Sequence, residues 1–222
     1  MIKLVLLDVD GTLTGKDRKI STSAIDEIRK AQERGVLISL ASGNVIPVMY
    51  GLKIFIGLNA PVFGENGGIM YQDSIETFFS MEKPSELFGE LEKEDAVEGI
   101  ISNQWRKTSI GYVPKQGKKE YVSTRAQDAG LYTVDSGFSW HLLNPGQNKG
   151  FALDYLKKIY SLEYEEILVM GDSFNDVSMF RKEVVKVVPS NAEERLKDIA
   201  DYISTSENGD GVAEALSNLS RF

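Results

Sequence analysis

The amino-acid sequence predicts an α/β fold: a parallel sheet flanked by helices, with a smaller α+β layer inserted into it. Three observations carry this expectation. Apolar runs at 2–7, 36–40 and 167–170 have the length and bulk of strands buried on both faces. Segments of helical period alternate with them, which implies right-handed strand–helix–strand crossovers. Between residues 81 and 148 that alternation gives way to helix–strands–helix–strands, the texture of a separate layer. The expected division is therefore a main unit of residues 1–80 and 149–222 with an insertion at 81–148.

The first run, broken only by Lys3, leads straight into Asp8-Val9-Asp10-Gly11-Thr12-Leu13. Alternate residues of an extended chain point the same way, so Asp8 and Asp10 share an aim just beyond the strand. Gly11 lets the chain turn there. Burying both carboxylates is costly unless a cation or proton shares them. Taken alone, the pair suits an acidic turn equally well. A polar loop at 14–19 precedes a helix capped by Ser21 or Ser23, with Ala24, Ile25, Ile28 and Ala31 at helical spacing and Gly35 at its end. After the strand at 36–40 comes Ala41-Ser42-Gly43-Asn44. A helix follows from about Val45, with Pro47 tolerated in its first turn. Residues 61–63 read as a short strand, and Gly64-Glu65-Asn66-Gly67-Gly68 as a tight turn before 69–71.

The insertion begins beyond Phe78 and Phe79, which suit core or hinge packing. It holds a charged helix at 84–94, strands at 99–102 and 108–112, a second charged helix at 118–129, and strands at 131–134 and 138–143. Trp105 and Trp140 are expected in its core. A loop at 144–150 opens a helix from Lys149 to about Tyr160. The strand at 167–170 then ends in Gly171-Asp172-Ser173-Phe174-Asn175-Asp176. A strand at 184–188, a helix at 192–199, a strand at 201–203 and a helix from about Gly211 complete the chain.

Composition removes several chemistries. The 222 residues contain no cysteine, which excludes disulfides, thiolate catalysis and cysteine-ligated metals. One histidine, His141, disfavours histidine metal sites and a serine–histidine triad. A net charge of −8 argues against nucleic-acid or anionic-membrane partners. The first apolar run lacks a secretory cleavage pattern, and no run has the length of a membrane helix. A soluble cytoplasmic protein, monomer or homodimer, is the expectation.

Polar clusters sit just past strands or at helix starts, where open α/β sheets bind ligands. Asp8 and Asp10 follow the first strand. Ser42 and Gly43 precede a helix N-terminus, a natural place for a phosphate oxygen. Lys149 opens a helix, and Asp172 and Asp176 follow a later strand. Several carboxylates with one lysine and one hydroxyl suit Mg²⁺ together with a phosphate. A P-loop is absent.

Asp8-Val9-Asp10-Gly11-Thr12-Leu13-Thr14, Ala41-Ser42-Gly43-Asn44, Asn148-Lys149-Gly150 and Gly171-Asp172-Ser173-Phe174-Asn175-Asp176 resemble the four ordered motifs of the haloacid dehalogenase superfamily. The insertion between the second and third motifs is similar to the cap of the Cof-type, sucrose-phosphatase-like branch. More narrowly, Ser42-Gly43-Asn44-Val45-Ile46-Pro47, Phe63-Gly64-Glu65-Asn66-Gly67-Gly68 and Ser139-Trp140-His141 resemble archaeal-type phosphoglycolate phosphatases. Asn44 stands where many Cof-type relatives carry arginine.

The resemblance implies a Rossmann-like core with a C2-type cap, and Mg²⁺-dependent hydrolysis of a small phosphorylated metabolite, 2-phosphoglycolate. It implies Asp8 as nucleophile and Asp10 as proton donor and then acceptor, the latter needing a raised pKa. Mg²⁺ would be held by Asp8, the Asp10 backbone carbonyl, Asp172 and Asp176, the last as ligand or outer support. Ser42, Gly43 and Lys149 would hold the phosphoryl group, with Asn175 positioning Lys149 or phosphate. Arg106 is the candidate for gripping a substrate carboxylate, because a guanidinium does so bidentately. A broader sugar-phosphate phosphatase, a phosphomutase, and a phospho-accepting signalling or binding domain are the alternatives.

Overall fold

The computed structural model describes residues 1–137, 139–181 and 183–222. Along the chain, β1 (Leu4–Leu7), α1 (Thr22–Glu33), β2 (Leu37–Ala41), α2 (Ile46–Ile56) and β3 (Val62–Gly64) alternate strand with helix. Short strands β4 (Ile69–Tyr71) and β5 (Ile75–Thr77) follow. Next come α3 (Glu82–Lys93), β6 (Val97–Gly99), β7 (Ile110–Pro114), α4 (Lys119–Asp128), β8 (Tyr132–Asp135) and β9 (Trp140–Leu143). The alternation resumes with α5 (Lys149–Tyr160), β10 (Ile167–Met170), β11 (Val185–Val188), α6 (Glu194–Lys197), β12 (Tyr202–Ile203) and α7 (Asn208–Ser217).

The strands form an eight-stranded sheet, ordered β12-β11-β10-β1-β2-β3-β4-β5, and a four-stranded sheet, ordered β6-β7-β9-β8. From β12 to β3 every pairing is parallel, while β4 and β5 extend that edge antiparallel. The smaller sheet is antiparallel throughout. β1 lies at the centre, with β2 and β10 on either side in matched register. Its side chains alternate between two cores. Val5 and Leu7 join α1, α2 and α7 on one face; Leu4 and Leu6 join α5 on the other. Full burial on both faces explains why β1 reads as an unbroken apolar run rather than an alternating one. A third cluster, centred on Leu87, Leu91, Val122 and Tyr112, packs α3 and α4 against the smaller sheet. Phe78, Phe79, Phe151 and Tyr155 form an aromatic group at the connection between the two layers, with ring centroids 5.0–6.4 Å apart.

Several elements depart from expectation. Residues 100–102 do not continue β6; a 3₁₀ turn occupies Ile101–Trp105. The Asn103 amide takes over the ladder there, donating to Gly111 O and accepting from Gly111 N, both at 2.8 Å. That turn leaves Trp105 46% exposed rather than in the core, whereas Trp140 packs on the cluster as expected. The helix expected at 192–199 shrinks to α6, its start tied by Glu193 N to Asp172 O at 2.8 Å. α7 begins at Asn208, before Gly211, because Gly209 gives the bare backbone room against Ser21 and Leu13 O. Phe138, expected in the strand before Trp140, lies outside the described residues.

Candidate active site

Strand order reverses at β1, so the chain leaves β1 toward β2 on one side and β10 on the other. The crevice beyond the carboxyl ends of such strands is where open α/β sheets bind ligands. Asp8 follows β1 there, its backbone held by Met170 O at 2.9 Å. Lys149 reaches the same point from the first turn of α5. The Asn148 side chain caps that helix by accepting from Phe151 N at 3.2 Å. Asp176 arrives from the 3₁₀ turn after β10, its Oδ2 accepting from Asp172 N and Ser173 N at 3.0 Å each. Lys149 Nζ joins the two acids, 2.5 Å from Asp8 and 2.6 Å from Asp176. All three side chains are buried.

Asp172 completes the acidic group and accepts from Thr12 Oγ1 at 3.1 Å. Asp8, Asp172 and Asp176 each present an oxygen within 4.8 Å of the others. Burial holds the Asp8 carboxyl well above the usual carboxylate range; Lys149 opposes this, while Asp176 and Asp172 reinforce it. Burial and Asp176 likewise push Asp172 up to about 6 against Lys149 and the Thr12 hydrogen bond. For Lys149, Asp176 and Asp8 outweigh burial, so its ammonium is held more firmly than usual. One lysine facing three acids leaves the group short of positive charge. The all-oxygen donor set fits a hard divalent cation rather than one preferring sulfur or imidazole.

Asp10 is placed differently from Asp8. Its Oδ2 accepts from Asn44 Nδ2 at 2.6 Å, and its Oδ1 from Arg18 Nη2 at 3.1 Å. The shared aim expected of the two side chains is therefore divided, Asp8 toward Lys149 and Asp10 toward Asn44 and Arg18. Asn44 also donates to Ser42 Oγ through its amide (2.9 Å) and its backbone N (3.1 Å), so it orders the Asp10 carboxylate and the Ser42 hydroxyl together. Asn175 donates to Asn66 Oδ1 at 3.0 Å rather than to Lys149.

These groups floor a cavity of about 280 Å³ that Asp8, Asp10, Ser42, Gly43, Lys149 and Asn175 line. Its roof comes from the other layer: Ile100, Ser102, Arg106, Ser136, Ser139 and His141. Asp10, Ser136 and Asn175 also line a wider groove of about 1040 Å³ leading from the surface. Arg106 is buried and donates to Ser109 Oγ at 2.9 Å and across the layers to Gly43 O at 3.2 Å. Among the described residues its Nε has no partner. Burial lowers the pKa of the Arg106 guanidinium, with Glu65 opposing. His141 Nε2 lies 3.3 Å from the hydroxyls of Ser136 and Ser139. Burial, then Arg106 and Lys149, bring its pKa down to about 3, so the imidazole is neutral.

A family model for haloacid dehalogenase-like hydrolases matches residues 5–130 and 115–216. The chain belongs to the haloacid dehalogenase-like hydrolases. It is 50% identical to the phosphoglycolate phosphatase of Thermoplasma volcanium, across 99% of each chain. It is 34% identical to phosphoglycolate phosphatase 1 of Saccharolobus solfataricus, across 99% of this chain and 96% of that one. The crystal structure of Thermoplasma acidophilum 0175 superposes with a TM-score of 0.96 at 46% identity, covering 100% of both chains. A haloacid dehalogenase-like hydrolase from Bacteroides thetaiotaomicron shares the fold, with a TM-score of 0.83 at 23% identity over 99% and 100% of the two chains. Within this hydrolase the four sequence motifs converge on the floor of one cavity. Glu65, Asn66 and Thr12 stand in stretches that carried the resemblance, yet they and Arg18 were assigned no role at the site. For Thr12, Glu65 and Asn66 the signal was polar side chains beside glycines just after a buried strand; Arg18, in a polar loop, carried none.

Proposed function

We propose that this hydrolase is a Mg²⁺-dependent phosphomonoesterase acting on 2-phosphoglycolate through an aspartyl-phosphate. The observation that carries the reading is the buried line Asp8–Lys149–Asp176, closed by Asp172 and roofed by the Arg106 guanidinium, whose Nε has no hydrogen-bond partner among the described residues. Relatives bearing the phosphoglycolate phosphatase name, at 43–50% identity over 95–99% of the chain, support the substrate. Residues 1–80 and 149–222 act as the catalytic core and 81–148 as a cap that selects the leaving group.

Asp8, the Asp10 backbone carbonyl, Asp172 and Asp176 would hold the Mg²⁺. Bound there, the cation would offset the crowded carboxylates and polarise the phosphoryl oxygens. Lys149 spends two of its three N–H donors on Asp8 and Asp176, leaving the third for a phosphoryl oxygen. Ser42, held by Asn44, offers its hydroxyl to another. An Asp8 oxygen attacks phosphorus, and the bond to the glycolate oxygen breaks. Asp10 delivers a proton to that departing oxygen. It then takes one from a water, which attacks phosphorus and releases phosphate and free Asp8. Arg106 faces the carboxylate of the substrate.

Steady-state hydrolysis across phosphate esters, with and without Mg²⁺, tests this. The expected result is Mg²⁺-dependent release of phosphate, with kcat/KM highest for 2-phosphoglycolate. Equal kcat/KM for 2-phosphoglycolate and unrelated sugar phosphates would defeat the substrate assignment.

A further inference from the structure

We infer that Glu65 is a positioning residue: acting through Ser109, it sets the Arg106 guanidinium over the cavity and so establishes the preference for a carboxylate-bearing leaving group. This rests on the substrate reading above. Glu65 lies in the core, immediately after β3, and is fully buried. Its carboxylate nevertheless serves the cap. Oε1 accepts from Lys107 N at 2.8 Å, and Oε2 accepts from Thr108 N, Thr108 Oγ1 and Ser109 Oγ at 2.9 Å each. Ser109 therefore commits its only proton to Glu65 and turns its lone pairs to Arg106 Nη1, 2.9 Å away.

The same turn is registered on the phosphate side of the cavity. Glu65 N donates to Asn44 O at 2.8 Å and Asn66 N to Ser42 O at 2.9 Å. Arg106 Nη2 closes the ring on Gly43 O at 3.2 Å. Glu65 and Asn66 stand at φ of +50° and +55°, a left-handed backbone that asparagine visits readily but glutamate rarely. The local strain is thus held against both layers. Arg106 is 6% exposed, and its partners are one carbonyl and one hydroxyl. Its nearest anion, Glu65, is reached only through the Ser109 hydroxyl, so a carboxylate in the cavity would be its first direct ion partner. The Glu65–Ser109 relay fixes which way its donors face.

The test compares kcat and KM for 2-phosphoglycolate and for ethyl phosphate, which keeps the two-carbon alcohol and lacks the carboxylate. Ser109→Ala should raise the KM for 2-phosphoglycolate about tenfold, as for loss of one charge-assisted hydrogen bond, with kcat and the ethyl phosphate KM within about twofold of wild type. Glu65→Gln should do the same where it folds. Thr108→Val, which also removes a donor to Glu65 but leaves the Ser109 relay intact, should keep the wild-type preference. In an Arg106→Met background Ser109→Ala should add no further loss. A Ser109→Ala enzyme that keeps the wild-type preference overturns the inference, as does a Thr108→Val enzyme that loses it equally. A wild-type enzyme with no preference between the two esters overturns the substrate reading itself.

Discussion

Asp8 is held by opposing forces: burial and two neighbouring acids favour its protonated form, and one lysine at 2.5 Å favours the ionised form. Replacing it with asparagine removes the nucleophile while keeping the shape. Asp8→Asn should drop turnover to background with unchanged circular dichroism, and turnover retained in a clean preparation would contradict the covalent role. His141 makes a different prediction. It is neutral when folded down to about pH 3, whereas in the unfolded chain it gains a proton near its ordinary value of 6.5. Below 6.5 the unfolded state therefore binds more protons, so stability from this group is full above 6.5 and lost as pH falls toward 3. Urea midpoints across that window should fall more steeply for wild type than for His141→Gln, which has no such proton to gain. At this scale Asp8, Lys149 and Asp172 were legible because acids and a lysine followed predicted strands or opened a helix. Glu65 was not, because nothing in Gly64-Glu65-Asn66-Gly67-Gly68 shows that residues 107–109, far along the chain, supply the donors.

Among the elements, β1 carries the site on a strand packed on both faces. Leu6 is fully buried in the core shared with α5. Leu6→Ala should cost about 2–5 kcal/mol, read from urea denaturation, since a truncated core leucine loses its transfer energy and leaves a cavity. The turn after β1 is constrained by Gly11 at φ +90°, and a Cβ there would meet the Asp172 carboxylate. Gly11→Ala should therefore weaken Mg²⁺ activation, seen as a higher Mg²⁺ concentration for half-maximal rate, through both strain and displacement of Asp172. Elements with continuous apolar runs were legible: β10 and the start of α5 fall where the pattern places them. β5 was not, since Ile75, Glu76 and Thr77 are all exposed and carry no alternation to read. The 3₁₀ turn at Ile101–Trp105 was hidden for another reason: an asparagine amide, not a pattern of hydrophobicity, bends the chain there.

At the scale of the molecule, the crossing point of the large sheet sets acids and lysine beneath a roof from the small sheet. The α/β class was legible from alternation alone; which cap side chains face the floor depends on packing between layers, which no local pattern encodes. Three acids against one lysine among the described residues make a group that could hold a divalent cation, and a cation bound there would stabilise the folded state. Chelation should abolish hydrolysis, and Mg²⁺ should raise the Tm of the metal-free protein, with a smaller rise for Asp172→Asn. Most direct is acid quenching of the enzyme during turnover of 2-phosphoglycolate with Mg²⁺, followed by peptide mass analysis. One added phosphoryl group is expected on the peptide containing Asp8, absent from Asp8→Asn and from chelated enzyme; steady turnover with no phosphoryl on that peptide, or with one on another residue, would contradict the covalent role of Asp8.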